Sequence, residues 1–203
     1  RPPRVSIILP THNRAGLVQE AIRSVQAQGF VDWELIVIDD GGSDDTQAAV
    51  GRLLEDPRVR LERIEHAGTS AARNHGMRLA RGELFAYIDS DNLWFPGFLA
   101  AAVAALDADP GLDLVYGALV TEAHGLADGC LLFEEFDRAR LLLGNFIDLN
   151  TVERLEIVSG EVYVTISARA RAGGAAVDVV GRGVTDAAFA LRPELRMRTM
   201  CAL

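Results

Sequence analysis

The stretch Phe85-Ala-Tyr-Ile-Asp-Ser-Asp-Asn92 decides how this chain is read. An apolar run of strand character ends in two carboxylates one residue apart, and Asn92, Trp94 and Pro96 stop any extension. Residues i and i+2 of an extended segment point the same way, so Asp89 and Asp91 at a strand end are placed to share one divalent cation. Asp, Ser and Asn are also ordinary turn formers, and the triplet alone reads more readily as a solvated turn. Its weight therefore depends on what surrounds it.

With 203 residues, 49% of them hydrophobic and 24% charged, the chain is expected to fold as a single domain over 1–203. A formal net charge of −9 argues against a general nucleic-acid binder, whose footprint would be a basic face. Cys130 and Cys201 match no metal-ligand spacing and read as free thiols in a reducing compartment. No apolar run has the length of a membrane span, and no basic-then-apolar signal pattern opens the chain. A cytoplasmic protein, free or peripheral at a membrane, is the expectation. The first residue is Arg1, as in a processed or excised segment.

Working outward, Val5 to Leu9 is a β-branched run that reads as a buried parallel strand ending at Pro10. Leu17, Val18, Ala21, Ile22 and Val25 recur at helical spacing. Trp33 to Ile38 is a second apolar strand, and it too runs into carboxylates, Asp39 and Asp40. Thr46 to Leu54 reads as a helix with Asp44 or Asp45 as N-cap, Val59 to Ile64 as a strand nearer the edge, and Gly68 to Gly82 as a helix closed by glycine. After Leu84 to Ile88, the alanine-rich segment from Phe98 to Leu106 is helical and Leu112 to Val120 is a strand. From Thr151 the pattern loses definition. Val162 to Ile166 reads as a strand, and Ser167 to Gly183 permits a short helix and loop.

Alternation of strands and helices predicts an α/β fold, a mostly parallel central sheet with helices on both faces. In such sheets ligands sit beyond the carboxyl ends of the strands. The loops Thr11 to Arg14, Asp39 to Thr46 and Asp89 to Asn92 are thereby expected to line one crevice. Asp39, Asp40, Asp89 and Asp91 would repel one another there unless a cation, or hydroxyl and amide donors, satisfied them. Mg²⁺ or Mn²⁺ suits oxygen ligands, and a diphosphate would complete its shell. Arg73, on the first turns of its helix, offers a fork suited to phosphate, although a surface arginine is its commoner fate. Thr11 and Asn13 can hydrogen-bond a base or ribose, or simply cap a helix. His12, His66, His75 and His124 are scattered and read as exposed or locally bonded. Trp94 is more readily a packing residue than a sugar platform.

Val5 to Arg14 (VSIILPTHNR), Val37 to Thr46 (VIDDGGSDDT), Gly68 to Gly76 (GTSAARNHG) and Tyr87 to Asn92 (YIDSDN) resemble the successive motifs of the family-two inverting glycosyltransferases of GT-A (Rossmann-like) fold. Four motifs in order over the first half of the chain make the match strong. The resemblance implies transfer of a sugar from a nucleotide-diphosphate donor, with UDP-sugars favoured over GDP- or dTDP-sugars, and usually with a divalent cation. The acceptor would be a carbohydrate, a lipid-linked sugar or another hydroxyl. Position by position it puts Pro10, Thr11, Asn13 and Asp40 at the nucleoside, Arg73 near the base or diphosphate, Asp89 near the ribose and Asp91 on the metal. Residues 1–120 would bind the nucleotide-sugar, and 121–203 would hold the acceptor and the base. Gly42-Ser43 replaces the more usual serine and small polar residue, and Asn92 replaces a frequent third aspartate.

Inversion requires a carboxylate opposite the leaving diphosphate. Thr185-Asp186-Ala-Ala-Phe189-Ala-Leu191-Arg192 resembles the late acidic motif that supplies it, which makes Asp186 the expected base, although Thr185 stands where glutamate is usual. Glu153, Glu156 and Asp178 are the runners-up. Two rivals share strand-end carboxylates. A nucleotidyltransferase would need a glycine-rich basic loop after the first strand, which Pro10 to Arg14 is not, and a non-catalytic binding module would keep the donor site while losing the acceptor side.

Overall fold

A computed structural model describes residues 1–110, 112, 114–117, 119–121, 130–132, 151–154, 166–171, 174–179 and 197–200. In chain order the first half comprises β1 (Val5–Thr11), α1 (Ala15–Gln26), β2 (Trp33–Asp40), α2 (Thr46–Val50), a 3₁₀ turn (Gly51–Glu55), β3 (Val59–Ile64), α3 (Thr69–Leu79), β4 (Leu84–Tyr87) and α4 (Phe98–Ala108). Next come β5 (Leu114–Gly117), β6 (Leu119–Thr121), β7 (Cys130–Leu132), β8 (Thr151–Arg154), β9 (Ile166–Arg171), β10 (Gly174–Val179) and β11 (Met197–Met200).

Seven strands form the main sheet in the order β11-β5-β8-β4-β1-β2-β3. Neighbours pair in parallel except at β8, which is antiparallel to both β4 and β5. The period-two pattern of β1 and β2 explains the layering. Val5, Ile7, Leu9, Leu35 and Val37 face one core with α1 and α4, whereas Ile8, Ile36 and Ile38 face α3 through Met77 and Ala72. Both strands are therefore apolar at nearly every position, as central parallel strands must be.

Several elements differ from the sequence reading. β1 does not end at Pro10 but continues to Thr11, paired with β2 through Thr11 and Asp39. The Ile8 carbonyl accepts from Ile88 N–H on the β4 side. Alternate residues of a parallel strand face the same neighbour, so the missing N–H of Pro10 also falls on that side, where pairing with β4 stops at Tyr87. The expected helix from Thr46 to Leu54 tightens to 3₁₀ geometry at Gly51, a residue that weakens helix interiors. α3 stops at Leu79, before Gly82. The short helix and loop that the sequence permits over Ser167 to Gly183 give way, among the described residues, to an antiparallel pair, β9 with β10. Alternation in Ile166-Ser-Ala-Arg-Ala-Arg171 is the strand signal there. β8 and β11 went unread because each is a four-residue segment whose role is set by its neighbours. Residues 162–165 lie outside the described residues.

The end of the sheet away from the carboxylates is locked by a buried polar cluster. Ser6 Oγ donates to Glu34 Oε1 at 2.7 Å, and the Arg81 fork donates to Glu34 Oε2 at 3.0 and 2.8 Å. Burial works to raise the Glu34 carboxyl, but the Arg81 fork and the Ser6 hydroxyl outweigh it and hold it below its ordinary range. Gly82 is required here because a Cβ would lie 2.6 Å from the Ser6 amide nitrogen. Among the described residues, no helix is long and apolar enough to cross a membrane.

Glu153 on β8 is different. It lies opposite Phe85 in register and is 8% exposed. Burial pushes its carboxyl up to about 8, against a smaller downward pull from the Tyr87 hydroxyl. The folded protein thus binds a proton that the unfolded chain releases above about pH 4.5, so stability is full below that pH and declines as pH rises towards 8. Glu153→Gln is expected to raise stability at pH 8 by on the order of 3 kcal/mol and to flatten the slope between pH 5 and 8 in urea unfolding. An unchanged slope would mean that Glu153 titrates normally.

Candidate functional site

β1, β2 and β4 run parallel and deliver their carboxyl ends to one edge of the sheet. A cleft of about 200 Å³ opens there, lined by Pro10, Thr11, His12, Arg14, Asp40, Thr69, Asp89 and Ser90. Pro10, Thr11, Asp40 and Asp89 are sequence-predicted site residues, and three separate loops do meet as the parallel topology requires. Thr11 Oγ1 and Arg73 Nε are buried polar atoms without a hydrogen-bond partner among the described residues.

The four carboxylates are compensated one by one. Asp39 accepts from Gly42 N–H at 3.0 Å and lies 3.3 Å from the Arg63 guanidinium. Asp40 accepts from Ala67 N–H at 2.8 Å, Gly68 N–H at 3.0 Å and His66 Nδ1 at 2.9 Å. Asp89 takes the Arg73 guanidinium at 2.7 Å, and Asp91 takes that of Arg14, also at 2.7 Å. Arg73 is not a surface arginine: its side chain is 4% exposed, and α3 aims it at Asp89. Arg14 and Asp91 are both near the surface, at 36% and 44%.

Asn13 does not line the cleft. Its φ of 53° is left-handed, a conformation asparagine tolerates. Its side-chain carbonyl accepts from Ser43 N–H at 2.6 Å, Ser43 Oγ at 3.2 Å and Asp44 N–H at 3.3 Å. Those donors fix the amide orientation, which turns Nδ2 toward His12 Nε2 at 3.1 Å. His12 must accept there, so its proton sits on Nδ1 and is donated to the Asp40 carbonyl at 2.8 Å. His66 Nδ1 lies 3.0 Å from the same carbonyl, and the two imidazoles stack at 4.3 Å. His12, Asp40 and His66 are spaced so that they could hold a metal ion, and in this arrangement Asp40 accepts hydrogen bonds from both rings. His12 and His66 are thus locally bonded, as the sequence suggested, yet bonded to Asp40: His12 at its carbonyl, His66 at its carbonyl and carboxylate. Nothing in their spacing marks this, because β3 brings His66 across. Gly41, at φ 66°, is needed where a Cβ would meet the His66 amide at 2.6 Å. At Gly42 the space is also tight, with Asn13 N 3.1 Å from a Cβ.

Of the expected bases, Asp186 and Glu156 lie outside the described residues, and Asp178 falls on β10. Glu153 pairs with Phe85, four residues before Asp89, or roughly 13 Å down the strand from the cleft.

Arg73→Met would leave Asp89 without its buried partner, at an expected cost of about 3 kcal/mol. Arg14→Gln breaks a half-exposed pair and is expected to cost less than about 1 kcal/mol. Urea unfolding of both variants checks the contrast, and equal losses would contradict it.

The model of the family described as "Glycosyl transferase family 2" matches residues 6–125, more than half of the chain. A Campylobacter jejuni protein, GalNAc(5)-diNAcBac-PP-undecaprenol beta-1,3-glucosyltransferase, is 36% identical over 126 residues, 61% of this chain and 40% of that protein. Succinoglycan biosynthesis protein ExoO of Rhizobium meliloti is 34% identical over 158 residues, 76% of this chain and 44% of its own length. The chain thus spans less than half the length of either. Among solved structures, the mannosyltransferase PcManGT from Pyrobaculum calidifontis, in complex with GDP-Man and Mn²⁺, is 35% identical with a TM-score of 0.51, covering 57% of this chain and 35% of that one. Staphylococcus aureus TarS, bound to UDP-GlcNAc, shares the fold at 22% identity and a TM-score of 0.62, covering 74% of this chain and 45% of that one. The strand-end motifs, the sheet they terminate and these matches agree, and the chain belongs to glycosyl transferase family 2, with the GT-A fold.

Proposed function

We propose that this chain is the donor-binding part of an inverting glycosyltransferase that moves a sugar from a nucleotide-diphosphate donor to an acceptor hydroxyl. The observation that carries the reading is the convergence of Thr11, Asp40, Asp89 and Arg73 on one strand-end edge, with buried Thr11 Oγ1 and Arg73 Nε still without partners among the described residues. Pro10, Thr11 and Asp40 hold the nucleoside, Asp89 meets the ribose and Arg73 steadies the diphosphate side. Asn13 serves the same site by fixing the Ser43 loop and the His12 ring.

Asp91 would hold a divalent cation, Mn²⁺ or Mg²⁺. The fit rests on its near-surface carboxylate, an oxygen donor already turned toward a positive group, the Arg14 guanidinium. When bound, the cation supplies positive charge against the departing diphosphate. Asp186 takes the proton of the acceptor hydroxyl from the face opposite that leaving group. A UDP-sugar is the favoured donor. The names of the Campylobacter relative and of an Escherichia coli relative, UDP-Glc:alpha-D-GlcNAc-diphosphoundecaprenol beta-1,3-glucosyltransferase WfgD, support a lipid-diphosphate-linked sugar as acceptor, met at a membrane surface.

Calorimetric titration with UDP- and GDP-sugars, with and without Mn²⁺, tests the donor side. Asp91→Asn is expected to weaken metal-dependent donor binding by about tenfold or more, and binding indifferent to both Mn²⁺ and this change would remove the metal from the reading. Asp186→Asn is expected to leave donor affinity within about twofold and to lower transfer by roughly 10²-fold or more. Retained transfer would exclude Asp186 as base. Donor binding with no turnover toward any acceptor or water would favour the non-catalytic module.

A further inference from the structure

The two arginine–carboxylate pairs around the Asp89-Ser90-Asp91 triplet are built differently. Arg73 and Asp89 are 4% and 17% exposed, and Arg73 sits within α3, so this pair is held by its surroundings. Arg14 and Asp91 are 36% and 44% exposed, and both come from loops that end strands. Arg14 precedes α1 as its N-cap residue but makes no side-chain cap. That task falls to Asp44, whose carboxylate accepts the Ala15 N–H at 2.8 Å. The Arg14 guanidinium is therefore unencumbered by the helix start. Besides Asp91, it reaches Ser90 Oγ, at a long 3.4 Å. It also lines the cleft beside Thr11 and Asp89.

A carboxylate oxygen 2.7 Å from a guanidinium cannot also ligate a divalent cation without crowding three positive charges together. We propose that Arg14 is an exchangeable counter-ion: it neutralises Asp91 until a divalent cation takes that carboxylate, and it then swings a short way along the cleft to pair with the diphosphate of the donor. This rests on the reading of Asp91 as metal ligand. The guanidinium fork matches a phosphate as well as it matches a carboxylate, so the charge lost at Asp91 is regained on the ligand. The exchange makes cation and diphosphate binding mutually reinforcing. The cation frees Arg14, and the diphosphate gives the freed Arg14 a partner.

Mn²⁺ binding to the full chain is read by the loss of the free-ion paramagnetic resonance signal, with Mn²⁺ alone and then with inorganic pyrophosphate. With Mn²⁺ alone, Arg14→Gln is expected to bind about two- to fivefold more tightly than the parent, the scale of a half-exposed ion pair. Arg14→Lys, which keeps the charge, should stay near the parent. Asp91→Asn should lose the site. With Mn²⁺ saturating, pyrophosphate should bind Arg14→Gln about tenfold more weakly than the parent, and Arg14→Lys should recover part of the loss. If Asp91→Asn binds Mn²⁺ like the parent, the metal reading fails and the exchange with it. If Asp91→Asn loses Mn²⁺ while Arg14→Gln gains nothing, the exchange alone is overturned. Unchanged pyrophosphate affinity in Arg14→Gln would likewise overturn the second half of the swap.

Discussion

A carboxylate as deeply buried as Asp40 must be surrounded by donors, and the donors this one recruits organise the whole active edge. Its carboxylate draws in the Ala67 and Gly68 amides that lead into α3, and its own carbonyl accepts from His12 of the β1 loop. β2, the start of α3 and the loop after β1 are thereby held around one residue. The helix that begins at Thr69 carries Arg73 to Asp89, so the compensation of one buried charge positions the partner of the next. Deep carboxylates persist only where such donors are supplied by rigid elements.

The same logic resolves the repulsion anticipated among four strand-end carboxylates. Each has its own donors: backbone amides and His66 for Asp40, a buried arginine for Asp89, and part-exposed arginines for Asp39 and Asp91. Of the four, Asp91 and its partner Arg14 form the pair in which both side chains are more than a third exposed.

The opposite ends of β1 and β2 are built differently. There Ser6, Glu34 and Arg81 close a hydrogen-bonded cluster against Gly82, with no space for a side chain. The amino ends of β1 and β2 are thus tied together by packing and charge pairing, while the cleft lies at the carboxyl ends, where Pro10 interrupts the ladder to β4. A parallel sheet has two chemically distinct ends because its strands point the same way.

The apolar runs of β1, β2 and β4, and the carboxylates at their ends, were legible because strand periodicity and strand-terminating residues are local properties. That Thr11, Asp40 and Asp89 share an edge also follows, since parallel pairing is implied by the alternation of strands and helices. The stack of His12 on His66, the engagement of Asn13 with Ser43 instead of the cleft, the burial of Arg73 and the pairing of Arg14 with Asp91 were not legible, because each joins residues far apart in sequence. β8 was missed for the same reason: four residues acquire strand character only by inserting antiparallel between β4 and β5. The sequence by itself determined the fold class, the order of the motifs and the residues with chemistry at strand ends. Only the tertiary structure decided which charge neutralises which, because that depends on distances between loops that no local pattern encodes.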